Sequence, residues 1–593
     1  MCNMFFKIKA LDTKIEKNYW SKRVDPDEKC LFQCYDSGYR LNAKEVSIYT
    51  GNSLSLHKKK ICVVEPFTFH NMSNLTYVSL YWNQICQIHE NSFNNLENLI
   101  TLKLEYNSIQ KIEFGSFIHL ANNNYLISIP DISLLSKLKR FYIGSNMVPE
   151  IQNGTFLNST NLETLELSYN RITCLYETIE NNTFSEMNYL DHLSLSGNRL
   201  TLIYKELFNG VIQLRYFYLN SNLITKIESD TFVDLKNLLT LSLSYNQISF
   251  LYKNMFKVLS LLRWLYLSNN KISSVENGSF VGLNSIEYID LSRNNFFNIS
   301  FEMFYGFMYI KHIYIEYNQI SHFNNDTFNE CQILETLSLR GNRFSYLHQD
   351  FFKSITKIKY LYLQTNQISI IQNDTFTVFQ NLLTLDLFQN RLTILYNGMF
   401  NGLGTLENLN LAENSITTIE ADTFNNLFNL KNLYLYKNQL KFLHSDMFKN
   451  LSLLHYLDLN TNMLKSIDLT GKNNLNYLYL HLNQFEEFSH ELKNLRYFSL
   501  HKNPLRFINY SLVLTNSNLY SLDISDCQLE LIDFGLFQNL QNLRYLYIQF
   551  NNLYFLNVSY LSQMTNLYSV RLDSKVQNIQ ELKSAYSKVN FYS

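Results

Sequence analysis

Leu238-Leu-Thr-Leu241-Ser-Leu243-Ser-Tyr-Asn246-Gln-Ile248-Ser-Phe-Leu251 and Leu382-Leu-Thr-Leu385-Asp-Leu387-Phe-Gln-Asn390-Arg-Leu392-Thr-Ile-Leu395 are the same sentence written twice. Each continues to a phenylalanine and a leucine, Phe256 and Leu259 in one, Phe400 and Leu403 in the other. The asparagine recurs every 24 residues from Asn198 to Asn462 without a slip. A fixed period of this length marks a solenoid, in which each repeat is one coil that buries its core only against its neighbours. Within a coil, Leu-x-Leu has period two, so both leucines face one side and the residues around them face the other. That predicts a short strand with one buried face. The asparagine follows at a bend, where its amide can satisfy backbone groups that would otherwise be buried unpaired. The phenylalanines Phe208, Phe232, Phe256 and Phe280, continuing to Phe448, predict a second buried column.

These motifs resemble the leucine-rich repeat family in its 24-residue extracellular form, over nearly everything from Leu54 to about Lys575. The resemblance implies an α/β solenoid, a curved horseshoe of about 22 coils with a parallel concave sheet and an irregular convex side. It reads as an irregular leader (1–29), an N-terminal cap (30–53), repeats mostly of 24 residues (54–464), further repeats beginning with two short ones (465–575) and a tail or partial cap (576–593). The region between Asn107 and Asn146 is irregular, with a shortened coil expected near Asn124. The span from Asn170 to Asn198 carries four extra residues, and the spans ending at Asn483 and Asn503 are short. Cys527 takes an asparagine slot. Coils also alternate in type: Met255, Met303, Met399 and Met447 precede the phenylalanine in one set, Thr231, Ser279, Thr327, Thr375 and Thr423 in the other, which suggests a duplicated two-coil unit.

Net charge is −1, so nothing argues for a general nucleic-acid footprint. No apolar run is long enough to span a membrane. The start lacks a convincing signal peptide, which leaves an intracellular protein or an incomplete start. No phosphate loop, zinc-hydrolase helix, nucleophile elbow or paired-cysteine motif appears, so neither an enzyme nor a cofactor is expected.

The residues interleaved with the strand leucines are rich in tyrosine. Tyr216, Tyr218, Trp264, Tyr266, Tyr314, Tyr360, Tyr362, Tyr434 and Tyr436 are the candidate ligand contacts, because tyrosine and tryptophan give rigid area with a polar tip. The competing reading is that these rings pack on one another along the sheet. Arg293, Arg340 and Arg343 near Asp290 and Glu316 suggest local ion pairs. The N-x-S/T acceptors include Asn153, Asn277, Asn325, Asn373 and Asn450, but a chain this rich in asparagine yields about as many by chance. Cys30 and Cys34 resemble a family cap, although that cap normally has four cysteines. Cys62 and Cys86 share a slot in adjacent coils, within reach of a bridge. Cys30–Cys34 and Cys62–Cys86 are the candidate pairs, with crosswise pairing open. The resemblance to receptor ectodomains of the Toll-like kind and to adhesion proteins implies a secreted or cell-surface protein that binds a protein or glycan, homodimerisation being open. An intracellular scaffold is the rival.

Overall fold

A computed structural model describes residues 39–112, 135–149, 159–173, 187–505, 518–532 and 540–592, apart from isolated positions within those ranges, together with Ile151, Phe156 and Phe184. Cys30, Cys34, Asn124 and Asn153 lie outside the described residues. The chain divides into two compact units, Met1–Ser242 and Leu243–Ser593. Each is a leucine-rich solenoid, with about twenty turns in all and almost no helix.

The predicted strands form as three-residue segments, each paired in parallel and in register with the next. In the first unit they run from Ser53–Ser55 to Thr240–Ser242, and in the second from Trp264–Tyr266 to Asn590–Tyr592. The central residue of each points inward. Leu241, Leu265, Leu361 and Leu433 are fully buried, each stabilising the fold by about 1.5–3 kcal/mol relative to exposure. Thr101 stands directly opposite Arg140, so the sheet crosses the irregular region with no strand in between. The phenylalanine column also forms: Phe256 and Phe280 stack at 5.8 Å, Phe376 and Phe400 at 6.5 Å.

The asparagines do what their position predicts, bonding both within their own coil and to the coil before. Asn270 Nδ2 donates to Leu267 O in its own coil (3.0 Å) and to Leu243 O in the coil before (2.9 Å), and its Oδ1 accepts from Ile248 N (3.0 Å). The ladder persists where coil length changes. Asn198, after the long coil, still reaches Leu167 O, and Asn483, in a short one, still reaches Leu459 O. Cys527 is a partial substitute. Its thiol donates to Leu500 O at 3.2 Å, but it offers no amide oxygen, and Leu505 N turns back to Asn503 O instead.

A two-coil unit is visible on the back of the solenoid. In the second unit, two-residue strands pair there from a methionine-type coil to the following serine- or threonine-type coil: Phe250–Leu251 with Ser274–Val275, and Ile394–Leu395 with Thr418–Ile419. Tyr346–Leu347, in a coil with Phe351 at the methionine position, pairs likewise with Ile370–Ile371. The buried hydroxyl is one reason. Ser279 Oγ donates to Leu251 O (2.9 Å) and Glu276 O (2.7 Å), and Thr375 repeats this on Leu347 and Gln372. Glu276 and Glu420 add carboxylates that accept from Lys253 N and Asn397 N of the preceding coil. In the first unit Thr68 and Ser92 occupy consecutive coils, and there the back strands Tyr39–Leu41, Ile61–Val64, Gln87–Ile88 and Lys111–Ile112 run on as one sheet. Thr327 has a buried hydroxyl without a partner, and its pairing shrinks to one bridge, Ile299 to Phe323. Thr231 also lacks a partner yet its two-residue pairing survives, so the hydroxyl reinforces the pairing and does not create it.

Cys62 and Cys86 are buried and disulfide-bonded; Cys331 and Cys527 are free, buried thiols. Residues beyond 576 form a helix, Ile579–Ala585, and the final strand. Thr375→Val removes the hydroxyl that holds two carbonyls and is expected to destabilise the full chain by about 1 kcal/mol. Thr327→Val removes a hydroxyl that holds none and is expected to be neutral or stabilising. Chemical denaturation of both variants beside the parent checks the difference; equal losses would refute the hydroxyl's role.

Candidate functional site

Because each strand buries its middle residue, the two flanking residues stand on the outer face and line up across coils. In the second unit one file runs Tyr288, His312, Thr336, Tyr360, Thr384, and the other Asp290, Tyr314, Ser338, Tyr362, Asp386. Seven of the predicted ligand contacts lie on this face, Tyr216 and Tyr218 on the corresponding face of the first unit, and all nine are half-buried.

Most of them pack on neighbouring rings. Tyr266 and Tyr314 lie 5.1 and 5.2 Å from Tyr288, and Tyr434 lies 4.9 Å from Tyr456. Beyond them Tyr477 and Tyr497 stack at 4.8 Å and 7°. Tyr436 approaches Phe388 at 6.3 Å. In the first unit His192 packs against Tyr216 at 4.7 Å and Tyr218 at 5.6 Å, a partner the tyrosine pattern alone did not single out. Burial lowers the His192 pKa and keeps the ring neutral. Tyr360 differs. It stands between Thr336 and Thr384 and makes no ring contact among the described residues, while Tyr362 stands between Ser338 and Asp386. Threonine neighbours leave the flanks of the Tyr360 ring open.

The expected ion pairs do not form. Among the described residues Arg293, Arg340 and Arg343 have no carboxylate within 4.0 Å. Arg293 and Arg340 instead lie over the Tyr317 ring, at 4.2 and 5.3 Å. Glu316 accepts from the Ser338 hydroxyl at 2.7 Å, and Asp290 accepts from Ser292 N at 3.0 Å. Local hydrogen bonds and the ring face of tyrosine satisfy these charges where the carboxylates do not reach the guanidinium groups.

Of three polar groups near Tyr360 and Tyr362, only Arg340 was expected, and as a member of an ion pair. Arg340 Nε is buried without an acceptor, and Gln364 Oε1 is buried without a donor. Asp386 accepts from Phe388 N at 3.0 Å, yet burial pushes its carboxyl up to about 6, against the opposing pull of that bond and of Arg340. The only sequence signal for Gln364 and Asp386 was their place beside a tyrosine pair, which does not distinguish a buried acid from a solvated one. Asp458, beside Tyr434 in register, is raised by burial in the same way.

The sequons Asn277, Asn325, Asn373 and Asn450 are exposed, away from the strands. Ser279, Thr327 and Thr375, which complete three of them, are buried. No group of histidines, cysteines and carboxylates among the described residues could hold a metal, and no helix among them is long and apolar enough to cross a membrane.

The raised Asp386 value has a definite sign. The folded state binds this proton more tightly than the unfolded chain, so its ionisation costs stability as pH rises from about 4 through 6. Asp386→Asn keeps an acceptor for Phe388 N and is expected to stabilise the chain at pH 8 by on the order of 1 kcal/mol, with little effect at pH 4. Urea midpoints at the two pH values read this directly; a variant weaker than the parent at pH 8 contradicts it.

Comparison with known proteins agrees with this architecture. The leucine rich repeat profile matches residues 52–109, 136–200, 212–272, 240–296, 288–344, 332–392 and 380–440, and the BspA type leucine rich repeat region matches 474–590. A TLR13–ssRNA13 complex is 24% identical, with 90% of each chain covered and a TM-score of 0.54. The plant peptide hormone receptor RGFR1 in complex with RGF2 is 18% identical, covering 91% of this chain and 89% of that one, at 0.56. A Leptospira interrogans leucine-rich repeat protein is 20% identical, covering 78% and 91%, at 0.51. These identities speak to the fold alone. No curated protein matches in sequence. With its repeats matched over more than half its length, the chain belongs to the leucine-rich repeat family.

Proposed function

We propose that this protein is a non-catalytic recognition protein that binds a protein or glycan on the outer face of its strands, in the manner of a receptor ectodomain or an adhesion protein. One observation carries the reading: around Tyr360 and Tyr362 two half-buried rings with small neighbours share their coils, and the coils beside them, with an unpaired donor at Arg340 and an unpaired acceptor at Gln364. A buried polar group without a partner costs about 1–3 kcal/mol, a cost that a ligand supplying the missing partner recovers. Rings of this kind also anchor binding hot spots. The similar folds of TLR13 and RGFR1 are held in complexes with an RNA and a peptide hormone, so the fold is compatible with ligands of either size. Disulfide-bonded Cys62 and Cys86 and exposed sequons support a secreted or cell-surface setting.

The test is to screen the full chain against arrayed extracellular proteins and glycans, beside Tyr360→Ala/Tyr362→Ala. The double variant is expected to lose binders by about tenfold or more in affinity while keeping its unfolding midpoint to within about 1 kcal/mol. Binders that are all indifferent to the substitution place recognition elsewhere.

A further inference from the structure

A second surface lies at the edge of the sheet, on the side chains that immediately precede each strand. Before this region the cations of the column are paired, each meeting a carboxylate from a neighbouring coil. Glu287 pairs with Arg263 (3.5 Å) and Lys311 (2.9 Å), Glu335 with Lys359 (2.9 Å) and Glu407 with Lys431 (2.6 Å). The first unit does the same with Lys139 and Glu163 at 2.6 Å.

After Lys431 the carboxylates stop. The column continues His455, Asn476, Arg496, Tyr520, Arg544, Tyr568. Tyrosine now stands where glutamate stood. Arg544 lies over the rings of Tyr520 (5.8 Å) and Tyr568 (5.7 Å). A ring face holds a guanidinium in place but does not cancel its charge. Arg496, Arg544 and Lys588 are exposed, have no ion pair among the described residues, and line one groove of about 890 Å³ whose walls contain no aspartate or glutamate. The rest of the wall is mainly asparagine. Asn474 and Asn566 commit their amide nitrogens to backbone carbonyls of the preceding coil, Ser452 O and Gln541 O, both at 2.8 Å. Their amide oxygens are left as acceptors.

The groove therefore presents uncompensated cations, amide acceptors and ring edges. Arg496 and Arg544 are two coils apart, about 10 Å at one strand spacing per coil. A single small anion cannot reach both; a chain with repeated anionic groups can. Hydroxyl donors suit the amide oxygens, and carboxylate or sulfate suits the guanidinium forks. Single-stranded nucleic acid fits less well, because it needs free ring faces for its bases. Arg544 covers Tyr520 and Tyr568, and Tyr497 and Tyr545 crowd Tyr520 at 5.5 Å each. We infer that this groove binds an acidic glycan, a chain of uronic-acid or sulfated sugars. The inference uses none of the residues of the Tyr360 patch and stands or falls apart from it.

Titration calorimetry on the full chain tests it with four probes of matched length: an oligogalacturonate, a heparin oligosaccharide, a neutral dextran oligosaccharide and a thymidine oligonucleotide. At low salt one or both acidic sugars are expected to bind, and dextran is not. Which of the two binds identifies carboxylate or sulfate as the recognised group. Affinity should fall as salt rises. Arg496→Gln/Arg544→Gln should weaken binding by at least about tenfold and flatten the salt dependence, without moving the unfolding midpoint, since both side chains are exposed. Tyr360→Ala/Tyr362→Ala should leave glycan affinity unchanged. The inference is overturned if neither acidic sugar binds, if the arginine variant binds them as well as the parent, if dextran binds equally, or if the oligonucleotide binds more tightly than either sugar.

Discussion

The buried asparagine amide is the interaction on which the rest depends. Directly before it in each coil the backbone takes a left-handed conformation, at Tyr245, Asn269, Arg293, Tyr317, Thr365, Gln389 and their equivalents. For residues other than glycine this costs roughly 1–2 kcal/mol. Gly341 meets the same demand, and a Cβ there would lie 2.5 Å from the Tyr317 ring. The turn lets the chain leave the strand sharply, but it points backbone groups into the interior. The asparagine returns hydrogen bonds within its own coil and two to the preceding coil, so it both closes its own turn and binds the stack. Cys527 indicates the minimum requirement. Its thiol still donates, but the acceptor is gone and Leu505 N must look elsewhere.

Around that constant, a second level of order comes from one hydroxyl. In the second unit, back strands are joined where Ser279 and Thr375 reach across to the preceding coil. A methionine at the alternate position fills the same volume with a flexible apolar chain that can make no such bond. In the second unit's regular coils the alternation of coil type in the sequence thus coincides with linked pairs on the back of the solenoid.

The fold was legible because its signals are periodic and redundant. Leu241, Asn246 and Phe256 recur so often that tertiary context cannot override them. The candidate site was only partly legible. Period two put Tyr360 and Tyr434 on the outer face, but it could not say that Tyr434 leans on Tyr456 while Tyr360 has threonines at both sides. That distinction lies across strands, 24 residues away, and needs the register. The pairing expected of Arg340 and Glu316 failed for a related reason: short sequence distance along two turns did not decide which partner the guanidinium would meet, and the Tyr317 ring met it first. Asp386 was invisible as a buried acid, since an aspartate between leucines reads as solvated until its neighbours are known.

The separation of core from surface explains why one array can carry unlike surfaces. The ladder and the leucines specify only inward positions, so an outward column can change its chemistry from coil to coil at little structural cost. Between Lys431 and Arg544 the edge column exchanges glutamate for tyrosine, and a neutral row becomes a cationic one. Leu457, Leu478, Leu522 and Leu546 remain buried through the same coils, and Asn462, Asn483, Asn503 and Asn551 keep their bonds. Exposed ion pairs contribute roughly 0–1 kcal/mol each, so their loss along this edge takes little from the fold. A guanidinium supported by rings instead of a carboxylate stays ordered and stays charged, which is the condition a surface must meet to hold an anionic partner.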